Sequence, residues 1–289
     1  MRSLLFVPGD SVRKLEKALA SQADALLIDL EDSVALEAKD EARRITAQFL
    51  QENVAGNQRP RFYVRVNGLS TGLIEADLDR IMPAAPDGVV LPKAVGGADV
   101  AALAARLSTH EAGSGRAATR ILAIATENAA GVFALGTFAG SSDRLMGLAW
   151  GGEDLSADLG ASSNRTDSGA YADPYRLART LTLLGAASAG VAAIDAVYTN
   201  FRDMQGLEAE CREARRDGFV GKMAIHPAQV AIINAAFAPT ADEIARARAV
   251  VAAFAGNPGA GVVGVDGEML DRPHLLRAER LLDRAGGAT

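Results

Sequence analysis

The sequence of 289 residues has a single cysteine, Cys211, which excludes an internal disulfide framework. A lone thiol suits the reducing cytoplasm, where we expect the protein to reside, and its place in a helical pattern indicates a buried structural residue. Aromatic residues are also scarce, at 5%, whereas hydrophobic residues as a whole make up 49%. The core should therefore be large, aliphatic and packed by alanine-rich helices.

Long apolar runs and clustered positive charge are absent as well. A membrane-spanning helix needs about 20 consecutive apolar residues, and the nearest candidate, 181–194, is interrupted by Gly185 and Gly190. We interpret it as the end of a buried helix followed by a strand. The net charge is −6, from 30 basic and 36 acidic residues, and the basic residues do not cluster into a basic face. Neither a membrane nor a nucleic acid is therefore an expected partner.

Short apolar runs alternate regularly with helical patterns along the chain. The runs mostly lack polar alternation, which is typical of strands buried on both faces of a parallel sheet. Strands are predicted at 3–7, 25–30, 62–66, 88–91, 121–125, 145–150, 192–197 and 222–225. Helices are predicted at 11–21, 38–51, 99–107, 203–216, 241–254 and about 272–284. Eight such units favour an α/β fold of the (β/α)8 TIM-barrel type over an open doubly wound sheet.

The residues after the eighth predicted strand are more than a barrel needs to close. We divide the chain into a barrel catalytic domain, 1–230, and a C-terminal helical extension, 231–289, which we expect to act as a lid. Its glycine-rich stretch formally matches the dinucleotide fingerprint through Gly259, Gly261 and Gly264. Because a predicted helix precedes that stretch where a strand is required, we interpret it as a mobile loop.

Polar residues collect at the carboxyl ends of the predicted strands. In a barrel these ends open on one face, where the βα loops build the active site. They are Asp29, Glu31 and Asp32 at the end of strand 2, Arg65 and Asn67 at the end of strand 3, Lys93 after strand 4, Glu127 and Asn128 after strand 5, Glu153 and Asp154 after strand 6, Asp195 in strand 7, and His226 after strand 8. This placement predicts a site at that face; the alternative is a set of solvated turns.

Glu127 and Asp154 end consecutive strands and should therefore be neighbours. With no cysteine or histidine beside them, they suit a hard cation such as Mg²⁺, which takes few carboxylates and fills its other positions with water and substrate oxygens. The alternative is that Arg65 or Lys93 neutralises the pair. Arg65 offers a planar fork for a substrate carboxylate, unless Glu31 or Asp32 already holds it.

Four further residues of this face have supporting roles in our interpretation. Asp29, Glu31 and Asp32 are too many acids for a core, so we expect them to contact the residues that bind metal or substrate. His226 could act as a base, but its position next to Pro227 favours a residue that opens a helix.

Eight segments of the chain together resemble one known family. They are RSLLFVPGD, LLIDLEDSVALEAKDEAR, YVRVNG, GVVLPKA, ATENAAG, WGGEDLSADLG, GKMAIHPAQV and DGEMLDRPHLLRAERLL, in order from Arg2 to about Leu282. The sequence is thereby similar to the citrate lyase β-subunit-like proteins of the HpcH/HpaI aldolase superfamily, which also contains the malyl-CoA lyases.

The resemblance implies a (β/α)8 barrel that assembles as a homotrimer or homohexamer. It implies that Glu127 and Asp154 bind Mg²⁺ and that Arg65 binds the carboxylate of an oxo acid, so that Arg65 and Glu127 take part in catalysis. Gly151 and Gly152 would let the substrate approach the backbone, and the two N–H groups beyond them, those of Glu153 and Asp154, could bind its carboxylate.

Two further assignments follow from the resemblance. Arg2 and Phe6 lie where acyl-CoA relatives bind the coenzyme. Asp271 belongs to a segment that, in several relatives, reaches the active site of a neighbouring subunit. The C-terminal extension would then be a catalytic lid that excludes water from the reaction.

We therefore predict a Mg²⁺-dependent carbon–carbon lyase. It would cleave or form a bond between the enolate of an acyl thioester, either acyl-CoA or acyl-carrier, and a small oxo acid such as oxaloacetate, glyoxylate or pyruvate. Two alternatives stay open: a CoA-independent class II aldolase that produces pyruvate or oxaloacetate, and a non-catalytic assembly subunit of a lyase complex. The combination of Arg65, Glu127 and Asp154 argues against a pure scaffold, which does not require it.

Overall fold

Eight parallel strands close into a barrel in the computed structural model, which describes residues 1–54 and 59–286. Each strand pairs with the next along the chain, and the eighth pairs with the first. The strands are β1 Ser3–Pro8, β2 Ala25–Asp29, β3 Arg61–Arg65, β4 Gly88–Leu91, β5 Arg120–Ile124, β6 Leu145–Ala149, β7 Ala192–Asp195 and β8 Gly221–Ala224. The predicted (β/α)8 fold is confirmed, and every strand lies within two residues of its predicted bounds.

Helices connect the strands on the outside of the barrel. They are α1 Val12–Leu19, α2 Lys39–Asn53, α3 Ile74–Ile81, α4 Gly97–Glu111, α5 Ala129–Ala134, α6 Gly152–Asp158, α7 Asp173–Ala189, α8 Met204–Asp217 and α9 Pro227–Phe237. The four helices predicted for the barrel correspond to α1, α2, α4 and α8. None of the helices in the described ranges is long and apolar enough to cross a membrane.

Aliphatic side chains from alternate strand positions fill the barrel interior. Leu27, Val90, Leu122, Ile194 and Met223 meet there, and each is at most 3% exposed. Because the interior is closed by these residues, the polar side chains that follow the strands collect at the carboxyl rim. The carboxyl rim is therefore the face at which the predicted residues that end or follow the strands can meet.

A second compact unit begins at Phe237, so the predicted boundary at 230/231 falls six residues early, inside α9. This unit contains α10 Ala241–Ala255, α11 Arg272–Gly286 and two strands, β9 Val262–Val265 and β10 Glu268–Asp271. Thr240 and Glu243 form a capping box at the start of α10, each side chain accepting from the backbone N–H of the other residue.

The second unit is not purely helical, contrary to the sequence prediction. Its glycine-rich stretch continues into an antiparallel hairpin, in which Val265 pairs with Glu268. Asp266 and Gly267 form the connecting turn with φ angles of 50° and 81°. Two successive positive φ angles are what an Asp-Gly hairpin turn adopts. The prediction of a mobile loop is therefore wrong for the part of the stretch that forms β9.

A buried ion network lies between β7, β8 and the surrounding helices. Asp195 and Lys222 are paired in register and both are 0% exposed. Lys222 Nζ lies 2.8 Å from Asp195 Oδ2 and 2.7 Å from Glu210 Oε1. Asp195 Oδ1 also accepts from Trp150 Nε1 at 2.7 Å and from Arg179 Nε at 3.2 Å. Burial alone would raise the pKa of Asp195, but Lys222 and Arg179 hold it below its ordinary value.

We expect Asp195→Ala to destabilise the fold strongly, because Lys222 stays buried and loses a counter-charge. Breaking a buried ion pair by removing one partner costs about 3–5 kcal/mol, and urea denaturation at neutral pH would measure it. The matched control is Glu208→Ala, which removes one partner of the exposed Glu208–Arg212 pair. That change should cost less than about 1 kcal/mol. An equally small cost for Asp195→Ala would contradict the structural importance of the network.

Candidate active site

Arg65, the last residue of β3, is held by two acids at the end of β2, Asp29 within the strand and Glu31 just after it. Its Nε and Nη2 atoms donate to the two carboxylate oxygens of Asp29, both at 2.7 Å, and its Nη1 lies 3.0 Å from Glu31 Oε2. The guanidinium also lies over the Phe6 ring, 4.8 Å from its centroid. Burial alone would raise the pKa of Asp29, but Arg65 lowers it. The fork that we assigned to a substrate carboxylate is therefore already engaged.

Lys93 lies at the centre of the rim. It follows β4 with a φ of 53°, in the left-handed region that residues other than glycine rarely adopt. Its backbone N–H donates to Glu127 Oε2, and its Nζ donates to Glu31 Oε1. Lys93 Nζ also lies 2.9 Å from Asp32 Oδ2 and 3.6 Å from Asp154 Oδ1. One residue thus connects the carboxyl ends of β2, β4, β5 and β6.

Glu127 and Asp154, predicted to be neighbours, interact electrostatically at the rim. Glu127 is 4% exposed, whereas the Asp154 side chain is 34% exposed. Burial and the negative charge of Asp154 raise the pKa of Glu127 to about 8. Two like charges in this position oppose each other's ionisation, and a cation between them would relieve that repulsion.

The donor set at the rim fits a hard divalent cation. Within residues 1–54 and 59–286, no group of three or more histidine, cysteine or acidic residues converges on a metal position. Two carboxylates nevertheless suffice for Mg²⁺, which is usually bound by one or two carboxylates and keeps several water ligands. Burial and the charge of Asp154 disfavour the ionised form of Glu127, and a bound cation would favour that form instead.

Gly151 and Gly152 let the chain pass close to these carboxylates. A Cβ atom on Gly151 would lie 2.6 Å from Glu127 Cγ, and one on Gly152 would lie 3.0 Å from a ring carbon of Trp150. The glycines therefore serve the packing of the site itself, besides the substrate approach inferred from the resemblance. Gly152 also begins α6, whose N-cap residue supplies no side-chain hydrogen bond.

Two acids after β6 fasten neighbouring loops. Glu153 Oε1 accepts from Asn164 Nδ2 at 2.7 Å, and Asp158 Oδ2 accepts from the backbone N–H of Ala129 at 2.8 Å. The Glu153 carboxylate is thus directed to the segment after α6. The group of Glu153 that could bind a substrate is therefore its backbone N–H. The charged cluster in WGGEDLSADLG is divided between one acid at the rim, Asp154, and two acids that hold loops.

A cavity of about 480 Å³ opens beside β1 and the start of α9. Phe6 lines it, as do three cations of α1: Arg13, Lys14 and Lys17. His226 also lines it, directly before α9 as its proximity to Pro227 suggests. None of the lining residues is acidic. The cavity therefore suits a ligand with both an apolar part and phosphate groups. The signal for it in the sequence is the group of basic residues in the first predicted helix.

Arg2 does not lie at this cavity, and its assignment to the coenzyme is corrected. It precedes β1 and therefore lies at the amino end of the barrel, opposite the rim. Its Nε and Nη2 atoms donate to Asp24 at 3.0 and 2.8 Å. The full length of β1 separates it from the rim, whereas Phe6 does line the cavity.

Asp271 ends β10 in the second unit, with a side chain that is 53% exposed. Its Oδ1 lies 2.5 Å from Nδ1 of His274, a residue to which we assign no role from the sequence. The contact orients the Asp271 carboxylate at the start of α11.

Comparison with known proteins gives a consistent set of relatives. The family model of HpcH/HpaI aldolase/citrate lyase matches residues 2–227. Citrate lyase subunit beta of Leuconostoc mesenteroides subsp. cremoris is 36% identical over 289 residues, which cover 98% of this chain and 93% of that protein. A (3S)-malyl-CoA thioesterase of Cereibacter sphaeroides is 38% identical over 291 residues, which cover 98% of this chain and 94% of that protein.

A solved structure is similar along nearly the whole chain. It is the protein CitE from Mycobacterium tuberculosis in complex with magnesium, acetoacetate and coenzyme A. The two chains share 35% identity with a TM-score of 0.78, and the match covers 99% of this chain and 98% of the other. Sequence and structure agree on the relationship, and the chain belongs to the HpcH/HpaI aldolase/citrate lyase family.

Proposed function

We propose that this protein is a Mg²⁺-dependent carbon–carbon lyase that cleaves or forms the bond between an acyl-thioester enolate and a small oxo acid. The observation that carries the proposal is the convergence of Glu127 and Asp154 beside Arg65 and Lys93. The carboxylates suit a metal, and the cationic side chains suit an anionic substrate. Family membership supports the same reaction class, since the relatives include a citrate lyase subunit.

Glu127 and Asp154 are the residues that would hold the cation. The magnesium bound to the CitE relative supports this choice of metal. When bound, Mg²⁺ supplies Lewis-acid polarisation of the oxo-acid carbonyl. The chain's own contribution is to fix the carboxylates in place. The Lys93 N–H holds Glu127, and the absence of a side chain at Gly151 leaves room for the Glu127 stem.

The oxo-acid carboxylate would bind between the first turn of α6 and the cations of the rim. The backbone N–H groups of Glu153 and Asp154 lie at a helix N-terminus, which favours negative charge. Arg65 would contribute its Nη1 atom, in the place that Glu31 now takes, while Nε and Nη2 stay on Asp29. Arg65 is thus aligned by one carboxylate in order to bind another.

The thioester substrate would extend into the cavity beside β1. Arg13, Lys14 and Lys17 suit the phosphate groups of a coenzyme, and the apolar lining suits its flexible arm. Phe6 lines this cavity and also lies under the Arg65 guanidinium, so the cavity adjoins the rim. The coenzyme A bound to the CitE relative supports an acyl-CoA substrate, and an acyl-carrier thioester is the related possibility.

In the cleavage direction, the bond between the thioester α-carbon and the hydroxyl-bearing carbon breaks. The hydroxyl proton passes to a base, and the hydroxyl-bearing carbon becomes the carbonyl carbon of the released oxo acid. The electron pair of the broken bond becomes the thioester enolate, which takes a proton at the α-carbon. Condensation is the reverse. We assign the proton-carrying role to Asp271, whose carboxylate is oriented by His274.

We further propose that the second unit acts as a lid over a rim, in its own chain or in a neighbouring one, within a homotrimer or homohexamer. Closure would exclude water from an enolate that would otherwise be protonated before it reacts. Association with other lyase-complex subunits belongs to the same proposal.

Three other functions compete with this one. A CoA-independent aldolase would not need the cationic cavity, and an assembly subunit would not need Glu127 and Asp154 close together. Thioester hydrolysis is the third competing function. It is favoured by the 38% identity of this chain to a (3S)-malyl-CoA thioesterase over nearly the whole chain. In that case water would attack the thioester carbonyl, and the carbon–sulfur bond would break to release a free acid and CoA.

The direct test is a product screen by mass spectrometry. Acetyl-CoA and propionyl-CoA are each incubated with glyoxylate, pyruvate or oxaloacetate, the protein and Mg²⁺. We expect one pair to yield a new CoA ester whose mass is the sum of the two reactants. Glu127→Gln and Asp154→Asn should reduce its rate by on the order of 100-fold or more, because each removes electrostatic stabilisation from the reacting centre.

Other outcomes of the screen separate the competing functions. A hydroxy acid with free CoA, and no intact ester, would favour hydrolysis. Cleavage of a free hydroxy-oxo acid without CoA would favour the aldolase. No turnover with any pair, in either direction, would contradict the lyase proposal.

The cavity is tested by measuring coenzyme A affinity calorimetrically. We expect Arg13→Gln/Lys17→Gln to bind coenzyme A at least roughly tenfold more weakly, since a hydrogen bond to a charged group contributes about 1.5–3 kcal/mol. Arg2→Gln, which removes a cation at the amino end of the barrel, is the matched control and should bind normally. A weakening in Arg2→Gln alone would contradict the assignment of the cavity.

A further inference from the structure

The rim carries more negative than positive charge. Its carboxylates are Asp29, Glu31, Asp32, Glu127 and Asp154, and its cations are Arg65, Lys93 and Lys39. Two of the cations have fixed partners: Arg65 is held by Asp29 through Nε and Nη2, and Lys39 donates to backbone carbonyls at 2.6 and 2.7 Å. Lys93 is the cation with freedom to change partners, since its side chain is 39% exposed against 12% for Arg65.

The Lys93 ammonium is near three acids of the rim. It contacts Glu31 and Asp32, and it lies 3.6 Å from Asp154. A divalent cation on Asp154 would be repelled by an ammonium at this distance. The ammonium would then pair only with Glu31 and Asp32, where it would still present positive charge to an anion entering the rim.

We propose that the Lys93 ammonium is a specificity-determining charge, which weakens the binding of the metal alone and strengthens the binding of the oxo acid. The inference rests on the proposed function, because it takes Glu127 and Asp154 as the metal ligands. Lys93 makes the metal and the oxo acid bind best together. A rim without this ammonium would hold the metal tightly and repel the carboxylate of its substrate.

The backbone of Lys93 has a separate task, which allows the charge to be tested by itself. Its N–H donates to Glu127, and any residue except proline retains that donor. The φ of 53° is strained for lysine but suits glycine. Lys93→Met therefore removes the ammonium at nearly constant length, and Lys93→Gly removes it while relieving the backbone strain.

The experiment measures two affinities by titration calorimetry, that of Mg²⁺ alone and that of pyruvate at saturating Mg²⁺. We expect Lys93→Met and Lys93→Gly to bind Mg²⁺ on the order of tenfold more tightly and pyruvate on the order of tenfold more weakly than the unaltered protein. Lys93→Arg, which keeps the charge, should stay near the unaltered values. Arg212→Gln, which removes an exposed charge on α8, should change neither affinity.

If the Lys93 ammonium acts as proposed, its removal changes the Mg²⁺ affinity and the pyruvate affinity in opposite directions. If both affinities fall together, Lys93 only maintains the structure, and if neither changes, its charge has no role; either result overturns the inference. Thermal unfolding verifies that each variant is folded, and Lys93→Gly keeps the test available should the methionine variant unfold. Absence of Mg²⁺ binding in the unaltered protein would instead reject the proposed function, so the two failures are distinguishable.

Discussion

The Glu127 carboxylate is buried next to a second carboxylate, Asp154, and the arrangement of the rim depends on this repulsion. Burial and the neighbouring charge raise the pKa of Glu127 to about 8. The Lys93 N–H and the Arg65 charge offset only part of that cost. A divalent cation bound by both carboxylates would replace their mutual repulsion with attraction to the metal. The arrangement of the rim suits such a cation.

The barrel separates two kinds of buried charge by the direction in which strand residues point. Asp195 and Lys222 lie outside the barrel interior among helices, where each is paired and fully buried, and their network contributes to stability. The rim residues are paired as well, but with excess negative charge and partial exposure. A balanced network holds the fold together, whereas the excess negative charge of the rim suits the cation that we propose to bind there.

The strands and the acidic rim were predictable because buried parallel strands are continuous apolar runs and the site residues directly follow them. The Asp29–Arg65 pair was not, since it depends on the register between β2 and β3. Arg2 precedes its strand, and strand direction alone would have excluded it from the rim. The hairpin was missed because the number of glycines outweighed the Asp266-Gly267 turn signal, which apolar residues flank on both sides.

The central claim, that Glu127 and Asp154 bind one divalent cation, is tested most directly by anomalous diffraction from crystals grown with Mn²⁺, which prefers the same oxygen ligands as Mg²⁺. The account predicts one strong anomalous peak at the rim, within direct coordination distance of both carboxylates, and its loss in Glu127→Gln crystals. A peak elsewhere, or full occupancy that persists in Glu127→Gln, would contradict the claim.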